Sequence, residues 1–365
     1  MEKKRRVALY LPLGTKKRSW NGLGGAEKRL SYLISHIDPK RFQPCIVLRI
    51  YCGKETAINA IKEYVSSYCN VRVVESDREA FKFFKNEKYD YVLYDDCMVL
   101  TIPGVIGAWR GGSHRVLIFV TEYYARWQYK KKWHAIIMRF NGVLSSSIDT
   151  LYPASKKILE RIFPNREITV TPCSLPKLDE YLSESAPFLK ENKIVFASRL
   201  IKDKNPMLVI DAVKNIYKEL VDKKYQVIIC GDGPLNRCIE ESIATQNLQE
   251  VINFIGMQNM QDILPSTQVF LSLQENENYP SQSLLEAIAS GCICIATNVG
   301  ETSLVVKPEF GILVEKNVKS LSQAMLRILN MNSEEKQKAS IQARMFAKEM
   351  FRPQKAIEHY EEICK

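Results

Sequence analysis

Arg199 and Lys204 stand five residues apart in Ser198–Pro206, SRLIKDKNP, directly after the apolar run Ile194–Ala197. Across a turn both can converge on one diphosphate, the guanidinium as a fork and the ammonium as a point charge. A basic surface loop would carry the same residues. A second stretch, Glu275–Gly300, begins as a polar loop after Val269–Leu273 and becomes a short helix at about Ser283–Ser290. It stops at Gly291, re-enters a strand at Cys292–Ala296 and carries one carboxylate, Glu286, near the helix start. Such a strand–loop–helix turn aims backbone N–H groups and the positive end of the helix dipole at whatever lies above the sheet. A phosphate or a sugar nucleotide suits it; a plain buried helix with one Glu is the other reading.

Three glycine-bearing loops follow strands in the same way. Asn21–Glu27, NGLGGAE, opens a helix, where glycine lets backbone approach a ligand. Its spacing of Gly22, Gly24 and Gly25 is not the dinucleotide G-x-G-x-x-G, and no acidic residue ends the second strand to hold a ribose. Cys230–Pro234, CGDGP, is a tight turn whose Gly231 and Gly233 admit a base or ribose. Phe254–Met257, FIGM, could lay the main chain at Gly256 and Met257 beside a base.

These loops need strands to carry them, and the chain supplies two series of β–α units. Val7–Leu11, Cys45–Ile50, Val71–Val74, Tyr91–Tyr94, Val116–Val120 and Val143–Ser145 read as buried strands, with helices at Ala26–Ile37, Thr56–Ser66 and Arg78–Asn86 between. Pro172–Glu191 holds three prolines and no sustained period. The second series has strands at Ile194–Ala197, Gln226–Cys230, Val251–Phe254, Val269–Leu273 and Cys292–Ala296, and ends in helices to Cys364. Apolar strands alternating with helices predict parallel, doubly wound sheets covered on both faces. The expected organisation is an α/β chain of two Rossmann-like domains facing across a cleft. Residues 1–175 form the first, 176–191 the linker and 192–352 the second.

Composition narrows the class. With 46% hydrophobic and 25% charged residues, the 365-residue chain reads as globular. No window reaches the ~18 apolar residues of a membrane span; the best, Val99–Trp109, holds Pro103 and two glycines. The start, MEKKRRVALYLPLG, has a basic run but an apolar part of only Val7–Leu13, which suits a first strand better than a signal peptide. The ten cysteines are scattered and read as reduced packed thiols, and the four histidines do not pair with them at metal-ligand spacing. Residues 1–180 hold 31 Lys and Arg against 18 Asp and Glu, and the remainder 21 against 23. The basic first half calls for an anionic partner. No nucleic-acid module accompanies it, so nucleic acid is not the expected partner.

Taken together, Gly24-Gly25, Arg199 with Lys204, Gly231-Asp-Gly-Pro234, Ile255-Gly256 and Pro280–Gly300 resemble, in order and spacing, the retaining glycosyltransferases of the GT-B fold in glycosyltransferase family 4, glycosyl transferases group 1. The likeness is strong after about residue 190 and weak before it. It implies that Arg199 and Lys204 neutralise the leaving diphosphate and that Gly24 and Gly25 lie near the donor phosphates and acceptor. Glu286 matches the second glutamate of the family's E-x7-E motif, which holds the ribose hydroxyls. Donor contacts would further come from Gly231, Gly233, Gly256 and Met257, and from Tyr279, Pro280, Ser281, Gln282, Ser283 and Leu285 around the helix start. The last helix, 353–365, would pack back on the acceptor-side first domain. Two positions depart from the pattern. Asn278 stands eight before Glu286, where the family has its first glutamate, with Glu277 one position off. Thr121-Glu122 stands where many members carry a histidine, so Glu122 becomes a candidate near the reacting sugar.

The resemblance implies transfer of a sugar, with retention, from a nucleotide-diphosphate sugar (UDP favoured) to a hydroxyl of a glycan or lipid-linked acceptor. The nucleotide sugar is a co-substrate and no resident cofactor is expected. No Asp-x-Asp pair is present, so no metal is expected either. Residues 123–140, YYARWQYKKKWHAIIMRF, interleave aromatics with Arg126 and Lys130–Lys132, as in a helix lying on an anionic bilayer. A cytoplasmic enzyme, peripheral on the inner face of the membrane and working in polysaccharide biosynthesis, is the matching expectation. An epimerase of sugar nucleotides on the same fold, or a degenerate donor-binding protein, would share these loops.

Overall fold

A computed structural model describes residues 3–13, 23–50, 54–96, 100–120, 132–182 and 190–365, the side chains of 54 and 132–135 excepted. The chain divides into two compact units: unit 1 is Met1–Pro176 with Pro353–Lys365, and unit 2 is Lys177–Arg352.

Unit 1 runs β1 (Arg5–Leu13), α1 (Gly25–Ser35), β2 (Phe42–Ile50), α2 (Lys54–Lys62), β3 (Asn70–Val74), α3 (Asp77–Glu87), β4 (Tyr91–Asp95), α4 (Ile102–Gly111), β5 (His114–Phe119), α5 (Lys132–Leu144), β6 (Ser147–Thr150), α6 (Pro153–Ile162) and β7 (Ile168–Val170). The strands form one parallel sheet in the order β3-β2-β1-β4-β5-β6-β7. Strand side chains alternate between faces, and β1 shows the result. Val7, Leu9, Leu11 and Leu13 enter a core with α1 and α2, while Ala8 and Tyr10 enter a second core with α3 and α4. A strand buried on both faces must be apolar throughout, hence the run VALYLPL.

The strand expected at Val143–Ser145 is instead the last turn of α5 and the bend after it; the strand is Ser147–Thr150. Val143 is 65% exposed, which a central strand position would not allow. Two arginines fix the helix end there. Arg115 donates to the Leu144 carbonyl at 2.7 Å and Arg166 to the Val143 carbonyl at 3.0 Å, so cations meet the negative end of the helix dipole.

Residues 353–365 close unit 1 rather than unit 2. Ala356, Ile357, Tyr360 and Cys364 lie in the α1–α2 core. Beneath them Asp149 of β6 is fully buried. Its carboxylate accepts from Thr169 at 2.7 Å, from Thr171, from the Tyr360 hydroxyl at 3.2 Å, and lies 3.0 Å from His359 Nε2. Burial beside that carboxylate holds the Tyr360 phenol neutral, well above its ordinary pKa.

Unit 2 contains α7 (Leu178–Tyr181), β8 (Glu191–Ala197), α8 (Pro206–Asn215), α9 (Tyr217–Asp222), β9 (Gln226–Cys230), α10 (Asn236–Thr245), β10 (Ile252–Gly256), α11 (Met260–Ile263), β11 (Thr267–Ser272), α12 (Gln282–Ala289), β12 (Ile293–Thr297), β13 (Gly311–Val314), α13 (Val318–Leu329) and α14 (Ser333–Met350), followed by α15 (Pro353–Ile363) of unit 1. Its parallel sheet is ordered β10-β9-β8-β11-β12-β13. The order reverses between β8 and β11, so the loops leaving their carboxyl ends diverge and open a crevice. Lys190 secures the other end of this sheet. Its ammonium donates to the carbonyls of Leu264, Pro265 and Ser290 at 3.1, 2.8 and 2.6 Å.

Candidate active site

Arg199, Lys204, Asn278 and Glu286 all lie on the two loops that diverge at the β8/β11 switch, or on the helix the second loop leads into. The loops are tied together by main chain. The Glu275 N–H donates to the Asp203 carbonyl at 2.9 Å, and Asn205 Nδ2 donates to the Leu273 carbonyl at 2.8 Å. Asn205 sits in the left-handed region at φ 51°, which turns the chain from the basic loop into α8.

The Arg199 guanidinium is exposed and makes no ion pair among the described residues. Lys204 is half-buried, and its partner is neutral: Nζ donates to Gln274 Oε1. Burial first, and then the charge of Arg199, push the Lys204 ammonium down to about 8, with Asp203 partly opposing. Glu275, a carboxylate on the facing loop, is engaged by Lys316 and by Asn205. The result is two cations at one strand end with no ion pair to a carboxylate among the described residues, an arrangement suited to a diphosphate.

The glycines of the next loop make a close approach within the protein itself. A Cβ on Gly231, at φ +135°, would lie 1.9 Å from the Ser198 carbonyl oxygen, and one on Gly233 would lie 2.5 Å from that of Leu200. They let the 231–235 turn lie against the Arg199 loop, where Leu200 N–H meets Asp232 O at 2.9 Å and Leu235 N–H meets Leu200 O at 3.1 Å. The close approach is thus made to the loop that carries Arg199. Gly256 takes φ +66° with open space around it, and Met257 beyond it is 67% exposed.

Glu277 and Asn278 part company. Asn278 is 1% exposed. Its Oδ1 accepts from Ser272 Oγ at 2.6 Å and Gln274 Nε2 at 2.8 Å, and its Nδ2 donates to the Ser272 carbonyl at 2.7 Å. The Glu277 carboxylate accepts the N–H groups of Asn278, Tyr279 and Glu301 at 2.9, 2.8 and 3.0 Å. It thereby joins the loop after β11 to the loop after β12. Gly300 makes room, since a Cβ there would stand 1.9 Å from Glu277 Oε2. Tyr279 and Pro280, joined by a cis peptide bond, are buried and lead to Ser281, the N-cap of α12.

At α12 the first-turn N–H groups, those of Gln282 and Ser283 among them, have no partner inside the helix, and Ser281 supplies no side-chain cap. Leu285 is buried in the helix's inner face. Glu286 is 6% exposed and accepts from Gln282 Nε2 at 3.0 Å, one helical turn earlier. In unit 1, Gly24 is the exposed N-cap of α1 and Gly25 its first residue; the Glu27 carboxylate folds back to within 2.4 Å of a Cβ placed on Gly24. Glu122 and residues 123–131 lie outside the described residues. Sequence reasoning missed Ser272, Gln274 and Gly300. The polar run QENEN after a buried strand was the available signal.

This geometry has known relatives. Residues 179–346, almost the whole of unit 2, match the family described as glycosyl transferases group 1. The chain is 29% identical, over 68% of each chain, to the Escherichia coli UDP-Gal:alpha-D-GlcNAc-diphosphoundecaprenol alpha-1,3-galactosyltransferase. It is 22% identical to a Campylobacter jejuni alpha-1,4-N-acetyl-D-galactosaminyltransferase whose acceptor is a diphosphoundecaprenol-linked saccharide, over 56% of this chain and 54% of that one. Its fold matches Anabaena HepE, solved with UDP and glucose, with a TM-score of 0.77, 13% identity and 98% of both chains covered. The two parallel sheets are those of the GT-B fold, and the protein is a glycosyltransferase. The match to glycosyl transferases group 1 falls within unit 2.

Proposed function

We propose that the protein moves a sugar, with retention, from a UDP-sugar to a hydroxyl of a lipid-linked or glycan acceptor, without a metal ion or resident cofactor. The observation that carries this reading is the Arg199–Lys204 pair, without an ion pair among the described residues, on one of the two loops that diverge at the β8/β11 switch, the other of which leads into the uncapped start of α12. Breaking the sugar–phosphate bond builds negative charge on the leaving diphosphate. The two cations and the helix start would stabilise that charge, the task a divalent ion performs elsewhere. Glu286, held by Gln282, would accept the ribose hydroxyls. The departing phosphate oxygen would take the acceptor proton on the same face, which requires no protein base.

The activities of the relatives support the finer points. The Escherichia coli enzyme uses UDP-Gal, and both enzymes act on saccharides linked through diphosphate to undecaprenol. The experiment is a thermal-shift panel of UDP-, GDP- and ADP-sugars, followed by a transfer assay with the donor that binds. UDP-sugars should raise the melting temperature. Glu286→Ala should abolish that rise; an unchanged rise removes Glu286 from ribose binding, and no response to any nucleotide sugar sinks the donor assignment. Transfer to an acceptor hydroxyl separates this reading from an epimerase or an inactive binder.

A lipid-linked acceptor calls for a membrane-facing surface. Among the described residues no helix is long and apolar enough to cross a membrane. However, α5 leaves Ile136, Phe140 and Val143 at 56%, 45% and 65% exposure. Their spacing puts them on one helical face, beside exposed Arg139. This stripe follows in sequence the basic aromatic run of residues 123–132, and its chemistry fits the surface of an anionic bilayer, which supports the reading of an enzyme working at the inner leaflet. Sedimentation with phosphatidylglycerol vesicles should weaken with salt. It should fall roughly tenfold or more in the triple variant Ile136→Ser, Phe140→Ser, Val143→Ser, because half-buried apolar side chains contribute on the order of 1 kcal/mol each. Equal sedimentation of variant and parent would rule the stripe out.

A further inference from the structure

We propose that Gln274 is the positioning residue for Lys204, and that Asn278, braced by Ser272, fixes which end of Gln274 faces the ammonium. Position 278 then tunes phosphate binding through a relay instead of touching the donor sugar. The inference rests on the reading of Lys204 as a diphosphate-binding group.

Hydrogen-bond polarity dictates the arrangement. A lysine ammonium can only donate and a backbone carbonyl can only accept. Lys204 Nζ stands at one end of the chain of contacts and the Ser272 carbonyl at the other. Between them lie two primary amides, each with one accepting and one donating end. Lys204 requires the oxygen of Gln274, so the Gln274 NH2 must point away, and it donates to Asn278 Oδ1 at 2.8 Å. Asn278 must then offer oxygen on that side, where the Ser272 hydroxyl also donates at 2.6 Å, and its NH2 meets the Ser272 carbonyl at 2.7 Å. Every orientation follows from the two fixed ends. The Thr297 hydroxyl adds a further anchor, donating to the Gln274 main-chain carbonyl at 2.8 Å.

A carboxylate cannot take the place of Asn278 in this relay. It would set an oxygen against the Ser272 carbonyl, acceptor against acceptor, and Asn278 is only 1% exposed, so water cannot intervene. The glutamate expected at 278 from the family pattern and the amide at 274 are therefore alternatives. With amides, Lys204 receives a neutral partner that orients it and leaves its charge whole. The charged groups near Lys204 are Arg199 and Asp203 on its own loop, while Glu275 on the facing loop is engaged by Lys316. The ammonium is thus held in place, partly desolvated, for an incoming anion. Its proton affinity, lowered to about 8, agrees with that state.

The test is UDP binding by calorimetry between pH 7 and 10 for the parent, Gln274→Glu, Gln274→Met, Asn278→Asp and Lys204→Met. In the parent, affinity should fall above about pH 8 as Lys204 loses its proton. Gln274→Glu pairs the ammonium: UDP should bind on the order of tenfold or more weakly at pH 7.5, and the alkaline fall should move to higher pH. Gln274→Met removes the acceptor, so the fall should move to lower pH. A merely structural contact would not shift the profile in opposite directions. Asn278→Asp should weaken UDP binding at an unchanged uridine affinity. If Lys204→Met loses UDP binding while both Gln274 variants keep the parent's profile, the relay is overturned and the phosphate role of Lys204 stands. If Lys204→Met binds UDP like the parent, the underlying reading falls and the relay with it.

Discussion

Lys204→Met is expected to lower kcat/KM by about a thousandfold, the usual cost of removing one preorganised group that meets developing charge, while leaving the protein at least as stable. The two halves of that expectation share a cause. A half-buried ammonium with only the Gln274 amide as partner and Arg199 nearby is an unfavourable charge in the free protein. Its folded pKa, about 8, lies below the ordinary lysine value of 10.5. Between those values the unfolded chain binds the proton more tightly, so folding stability rises with pH across the window, and below pH 8 the whole cost is present. Methionine fills similar volume without the charge. Melting curves at pH 7 and pH 10 should show the parent gaining on the variant as pH rises, and steady-state kinetics should show the loss of turnover. A variant that loses activity through unfolding would contradict both.

Asp149→Ala is expected to destabilise unit 1 by roughly 3–5 kcal/mol, the range for removing one partner of a buried, charged network. The alanine would remove the acceptor shared by the hydroxyls of Thr169, Thr171 and Tyr360 and the ring of His359, leaving the buried Thr171 and Tyr360 hydroxyls to pair with each other at 2.9 Å. For a unit of this size the midpoint should drop by about 6–20 °C. Asp149→Asn keeps the shape and part of the hydrogen bonding, so it should lose less. Two-domain calorimetry would read the effect: the unit 1 transition should move while that of unit 2 stays. A shift of less than about 1 kcal/mol would show that apolar burial of Ala356, Ile357 and Tyr360 alone seats the last helix.

The sheets were legible because strands buried on both faces leave unbroken apolar runs. The β8 to β12 strands therefore fall close to where their residues predict. Val143–Ser145 was misread because three residues of VLS carry no periodicity, and the arginines that cap the helix there, Arg115 and Arg166, come from distant sequence. At the site, charge and helix starts could be read locally, which brought out Arg199, Lys204 and Glu286. Gly231 and Gly233 could be singled out, but not what they approach. A glycine signals a close approach, and only the folded chain shows that the approaching group is Ser198 or Leu200 backbone. Gln274 was invisible, since nothing in a single glutamine announces a lysine seventy residues earlier in the chain.

Residues 353–365 complete the core on one face of a sheet whose first strand begins at Arg5. Unit 2, by contrast, is one continuous segment. During synthesis from the N-terminus, unit 2 can therefore finish folding while unit 1 still waits on the ribosome for the helix that covers Asp149. The half made first is completed only after unit 2 has been made, and until residues 353–365 emerge its α1–α2 core stands open. A chaperone that shields that core during translation should matter more to the yield of this protein than one acting on the donor-binding half.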